Sequence, residues 1–126
     1  MELRIGAKGA CEIVVSEADT ALAHGSGTLR VLATPRMAAL MEQAAMEAVA
    51  PYLEAGKGTV GTRLSISHDA ATPVGMQVRA EAELIAVEGR KLSFYVSALD
   101  ARGPIGGGEH TRFIIDEAKF LEITYS

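Results

Sequence analysis

One carboxylate in the stretch "TPRMAALMEQAAMEAVAPYLE" (34–54) falls off the local pattern. At 100° per residue, Arg36, Gln43, Glu47 and Glu54 form a narrow polar stripe, with Met37, Leu40, Met41, Ala44, Ala48 and Tyr52 largely opposite. Glu42 stands about 100° from the stripe, beside Ala38, Ala45, Met46 and Val49. Two readings follow. Glu42 is either a solvated flank residue, which helix geometry alone favours, or a partly buried carboxylate facing a cleft. There, burial would raise its pKa and suit it to act as a base or nucleophile.

Two further residues could join it. His68 closes an alternating apolar face that contains Leu64 and Ile66. That placement suits a core histidine bonded to backbone as well as it suits a proton-transfer group. Thr34 precedes Pro35 and reads first as a helix cap. A hydroxyl at a helix N-terminus can also meet a substrate carbonyl, where free N–H groups stabilise negative charge. His24 lies in a polar loop, and His110 lies in a strand on the face opposite Phe113. With no Cys or carboxylate at ligand spacing, no metal site is expected. "GKGTVG" (56–61) follows a helix and enters a strand, the reverse of a phosphate loop. "GGGEH" reads as a bulge or tight bend. Cys11 reads as a small core residue and not as a nucleophile.

These side chains need a scaffold, and the periodicity supplies one. Residues 11–15 read as a short strand, "SEADTALAHGSGT" as a loop with room for one helical turn, and 29–33 as a short strand or extended lead-in. Thr34 as N-cap and Pro35 in the first turn open a helix rich in Ala, Met, Leu and Glu. Pro51 falls in or near its last turn, and Gly56 and Gly58 close it. From Gly58 the period becomes two. Val60, Thr62, Leu64, Ile66 and His68 share one face. Met76, Val78, Ala80, Ala82 and Leu84 form the next, then Leu92, Phe94, Val96 and Ala98. "EGR" (88–90) is a tight hairpin turn around Gly89. "EHTRFIID" is the last clear strand, with Thr111, Phe113 and Ile115 on one side. Antiparallel strands with one apolar face and one long helix to bury predict an α+β domain, its sheet curled around the helix.

The 126 residues fit a single domain, 1–126, large enough to need no metal or disulfide staple. A net charge of −4, without a Lys/Arg run longer than Arg90-Lys91, argues against nucleic acid. No stretch approaches ~20 apolar residues, so no membrane span is expected. The start, "MELRIGAKGA", lacks the apolar core of a signal peptide. One cysteine precludes an intramolecular disulfide and fits a reducing compartment, so a cytoplasmic location is expected.

Four pieces in order resemble the hotdog-fold acyl-CoA thioesterases, and in particular the fluoroacetyl-CoA thioesterase group. They are "LMEQA" with "APYLE", then "SHDAATPVG", "VEGRKLSFYVSALD" and "IGGGEHTR". The resemblance runs from about Ile5 to Phe120. It implies a hotdog fold, with an antiparallel sheet wrapped around one long helix, and a homodimer with active sites at the subunit interface. It implies Thr34, Glu42 and His68 as the catalytic set, Gly61 as a backbone N–H donor to the thioester carbonyl, and Arg112 as an arginine near the acyl pocket. The implied activity is hydrolysis of a small acyl-CoA, with coenzyme A entering only as part of the substrate and no separate cofactor. A non-catalytic acyl-CoA binder is the alternative, and the motif order argues against a hotdog dehydratase or isomerase. The segment before the helix, "ALAHGSGTLRVLA", departs from the group: it is shorter and has no Phe, Tyr or Trp.

Overall fold

The structure, a computed structural model, describes residues 2–126; Met1 lies outside the described residues. Its centre is helix α2, Thr34–Val49, which continues into a 3-10 turn at Ala50–Tyr52. Pro51 has no N–H for an α-helical bond, and the tighter turn removes that need. One face of α2 buries Met37, Leu40, Met41, Ala44, Ala45, Ala48 and Val49. These meet Val78, Ala80, Leu84, Leu92, Phe94, Val96, Ala98 and Ile105 from the sheet in one hydrophobic core. Each large side chain so buried contributes about 1.5–3 kcal/mol of transfer free energy.

The sheet has five strands: β1 (Lys8–Val14), β2 (Lys57–His68), β3 (Gln77–Glu88), β4 (Lys91–Asp100) and β5 (Gly103–Asp116). Their spatial order is β1-β3-β4-β5-β2, and every neighbouring pair is antiparallel. The β3–β4 hairpin turns at Gly89, whose φ of 62° suits a tight two-residue turn. The strand β1 rests directly on α2. A Cβ added at Gly9 would lie 2.2 Å from the Ala44 carbonyl oxygen, so only glycine admits this approach.

The structure departs from the sequence pattern in three places: the start of β1, the C-terminal helix and the register of β2. β1 begins at Lys8, because its ladder with β3 extends through Gly9 and Ala10 despite their weak strand propensity. After a bend at 28–30, residues 31–33 form the extended lead-in, held by isolated bridges, Thr20 to Leu32 and Val31 to Pro73. The loop before them contains a 3-10 turn and the short helix α1, Ala21–His24. A C-terminal helix, α3 (Glu117–Thr124), follows β5 without a break, and the Asp116 side chain caps it by accepting from Lys119 N–H.

The third departure shapes the site. β2 shifts register between Gly61 and Arg63, a bulge at Thr62. The extra residue reverses the alternation. Val60 and Thr62 therefore do not share the inward face of Leu64, Ile66 and His68; Thr59 and Gly61 do.

Candidate active site

Thr34 and His68 come together at the N-terminal end of α2. The helix is capped by Ala33, with no side-chain cap, so Thr34 is its first residue and not its N-cap. Its hydroxyl is left free to reach His68, with Oγ1 2.7 Å from Nδ1. The lead-in is braced beside this pair, where Arg36 Nε donates to Asp19 Oδ1 at 2.9 Å. Burial pushes the Asp19 carboxyl up, but hydrogen bonds from Ser16 and Arg36 outweigh it and hold the group below its usual range. A cleft of about 240 Å³ opens between Thr34, His68, Val31, Leu32 and the turn at Ala70 and Ala71. Among the described residues, the buried Nε2 of His68 has no hydrogen-bond partner.

A second cluster surrounds Glu42. Arg112 Nε donates to Thr59 Oγ1 at 2.8 Å, and Nη2 donates to the Thr59 carbonyl at 2.9 Å. Nη1 donates to His110 Nε2 at 3.1 Å and also lies 3.8 Å from Glu42 Oε2. His110 Nδ1 donates to the Arg63 carbonyl at 2.7 Å. Both histidine nitrogens are therefore committed, one as donor and one as acceptor, which selects a single neutral tautomer. Burial pushes the His110 pKa down, and the Arg112 charge adds to this; the Arg63 carbonyl and Glu42 only partly offset it. Burial also lowers Arg112, with Glu42 opposing. Glu42 itself stays open, its side chain 41% exposed against 6% for Arg112. Gly61 completes the cluster, since a Cβ there would lie 3.0 Å from Glu42 Oε2.

The five residues singled out in the sequence thus form two groups: Thr34 with His68, and Glu42 with Gly61 and Arg112. Eight residues of helix separate Thr34 from Glu42, a rise of about 12 Å. The sequence reading missed Thr59 and His110. His110 was placed opposite Phe113, and that face turns out to be the buried one, shared with Arg112. The available signal was the period-two spacing of "EHTR", which puts His110 and Arg112 on one face.

A half-exposed carboxylate beside a fixed guanidinium, with a glycine giving close access, can attack a carbonyl carbon or activate water. A threonine–histidine pair can move a proton. A five-stranded antiparallel sheet packed on one long helix is the hotdog architecture, and a solved hot-dog-like protein from Thermanaerovibrio acidaminovorans shares the fold at 22% identity (TM-score 0.86, 96% of this chain, 90% of that one). Residues 15–118 match the family described as fluoroacetyl-CoA-specific thioesterase, and the chain belongs to that family. The fluoroacetyl-CoA thioesterase of Streptantibioticus cattleyicolor is 51% identical over 90 residues, which span 71% of this chain and 65% of that relative. A phenylalanine-to-alanine variant of fluoroacetyl-CoA-specific thioesterase, solved with fluoroacetate and CoA, is 41% identical with a TM-score of 0.87 (94% of this chain, 99% of that one).

Proposed function

We propose that the chain hydrolyses a small acyl-CoA thioester to the free acid and coenzyme A. The observation that carries this is Glu42. It is an accessible carboxylate held against Arg112 and Gly61, inside a family whose named relatives act on an acyl-CoA. Glu42 either attacks the carbonyl carbon, forming an anhydride that water then cleaves, or takes a proton from the attacking water. In both routes the C–S bond breaks and the thiolate leaves with its electron pair. The Gly61 N–H donates to the oxyanion, a contact worth about 3 kcal/mol in the transition state. The Thr34 hydroxyl donates to His68 Nδ1 and so leaves the proton on Nε2, available to the substrate or the departing sulfur.

The active unit in this reading is a homodimer whose sites lie at the subunit interface. Two features support it: the half-sites are separated within one chain, and β2 is an edge strand with a free hydrogen-bonding side. Antiparallel pairing of two β2 strands about the midpoint of 61 and 68 would set His68 opposite Gly61 of the partner subunit. The reaction needs water and the thioester but no added cofactor. The free thiol of Cys11 is consistent with work in the cytoplasm. No helix among the described residues is long and apolar enough to cross a membrane.

Thiol release over a panel of acyl-CoA thioesters tests the reaction. Turnover that is highest for the shortest acyl groups supports it. Acyl-CoA binding without thiol release from any member would establish the binder instead. Mixing inactive Glu42→Gln and His68→Ala subunits tests the composite site. Random reassociation would restore about a quarter of wild-type activity if each site takes these residues from different chains, and none if it does not.

A further inference from the structure

Asp100, the last residue of β4, is buried against the turn that follows His68. Taking a carboxylate out of water is costly unless its oxygens are bonded, and here both are. Oδ2 accepts from the Thr72 hydroxyl at 2.7 Å, and Oδ1 accepts from the Arg102 N–H at 2.8 Å. Burial pushes the Asp100 carboxyl up, but these bonds outweigh it and hold the group below its usual range. The carboxylate is therefore charged, which strengthens the bond from Thr72. Arg102 adds a second tie to the same turn, since its Nη2 donates to the Ala71 carbonyl at 3.0 Å. Thr72 is itself fully buried and is held from two sides. Its hydroxyl meets Asp100, while its carbonyl accepts from Leu32 N–H at 2.9 Å. Beside it, Val31 and Pro73 form a bridge. Leu32 stands two residues before Thr34, and Thr72 four residues after His68. One turn thus supports both chain segments that meet in the 2.7 Å contact between Thr34 Oγ1 and His68 Nδ1.

We propose that Asp100, Thr72 and Arg102 are positioning residues for the Thr34–His68 pair, an inference that rests on the catalytic role given to that pair above. None of the three lines the cleft, so each acts only through the turn and the lead-in. The hydroxyl of Thr34 donates to His68 Nδ1 only while the two segments keep their spacing. A turn released from Asp100 slackens its hold on Leu32, and the Thr34 hydroxyl drifts from the ring. Nδ1 then takes the proton in part of the population, which leaves Nε2 an acceptor where the reaction needs a donor.

The test reads kinetics and the imidazole together. Thr72→Val removes the hydroxyl and keeps the shape. It should lower kcat about tenfold, as a displacement of a few tenths of an ångström does, and leave KM within about twofold. Thr72→Ser keeps the hydroxyl and should retain wild-type kcat. In two-dimensional 1H–15N spectra, wild-type His68 should show a protonated Nε2 and a hydrogen-bonded Nδ1. The valine variant should move Nδ1 toward a free acceptor or a protonated nitrogen. A folded valine variant with wild-type kcat, one with lowered kcat and an unmoved His68 signal, or a serine variant as slow as the valine one would each overturn the proposal. Arg102 has an exposed side chain, so Arg102→Ala gives the answer if valine at position 72 prevents folding. A shifted His68 signal in that variant supports the positioning role, and an unmoved one overturns it. The spectra require no turnover, so they test the positioning even if no thioester is cleaved.

Discussion

Gly61→Ala gives the sharpest test of the catalytic cluster, because one added methyl group probes three neighbours. The new Cβ would stand 3.0 Å from Glu42 Oε2, 3.1 Å from His110 Cε1 and 3.2 Å from Arg112 Nη1. Ordinary contacts of this kind lie at 3.4–4 Å, so the neighbours must yield by a few tenths of an ångström. His110 is held by the Arg63 carbonyl and Arg112, and Arg112 by Thr59, so neither can move cheaply. Glu42, with 41% of its side chain exposed and only a 3.8 Å ion pair, is the group that shifts. Gly61 is not among the glycines with positive φ, so alanine adds no backbone strain. Overpacking costs about 1 kcal/mol, which the lower entropy of the unfolded alanine chain offsets by about 0.5 kcal/mol or more. Stability should thus change by less than about 1 kcal/mol. A catalytic group misplaced by about 1 Å loses rate on the order of 10²-fold, so a shift of a few tenths of an ångström should lower kcat/KM on the order of tenfold. The backbone N–H survives the substitution, so the loss reports on Glu42 and not on the oxyanion donor. Steady-state thiol release and urea unfolding on the same preparation would check both halves. A Gly61→Ala enzyme that keeps kcat/KM within about threefold of wild type, with unchanged stability, refutes the placement of Glu42 at the reacting carbonyl.

Other variants separate chemistry from folding. Glu42→Gln should lower kcat on the order of 10³-fold while changing the unfolding free energy in urea by no more than about 0.5 kcal/mol, since a half-exposed pair contributes little; comparable losses in both would make Glu42 structural. Thr34→Val should lower kcat about tenfold with little change in thermal stability, because Ala33 and not Thr34 caps the helix; a stability loss of more than about 1 kcal/mol would restore the capping role. His110 should make the fold acid-sensitive. Its folded pKa lies below the ordinary 6.5, so the unfolded chain gains a proton first as pH falls. The stability it contributes is complete above 6.5 and drains away below that value down to its lowered folded pKa. Urea unfolding between pH 7 and pH 5 should show this slope, and His110→Gln should flatten it. Dialysis against a chelator should leave turnover intact; restoration of lost activity by an added divalent ion would disprove a metal-independent reaction.

Much of the scaffold was legible because each element carries its own periodicity. Leu92, Phe94, Val96 and Ala98 alternate in sequence and are all buried in β4. The C-terminal helix α3 was missed: its capping signal, Asp116 three residues before Lys119, sits inside the strand pattern of "EHTRFIID". The bulge at Thr62 was not readable. Nothing in "GTVGTRLS" distinguishes eight strictly alternating residues from a strand that slips by one, because the slip depends on the register with β5. His110 and Arg112 were hidden for a related reason. Polar side chains on an inward face look like an outward face until their partners are known, and those partners are Thr59 and the Arg63 carbonyl, about fifty residues away.

By itself the sequence determined the helix, the four long strands and the chemical types at Thr34, Glu42 and His68, since these depend on neighbours within a few positions. Only the tertiary structure decided which of them meet. Thr34 turns from helix cap to histidine partner because the chain bends at Ala33 and brings the end of β2 alongside. Glu42 faces Gly61 because a bulge reverses the strand just where it passes the helix. Both outcomes rest on contacts between segments about 20 to 70 residues apart. Local propensity cannot encode such contacts; packing the sheet on the helix creates them.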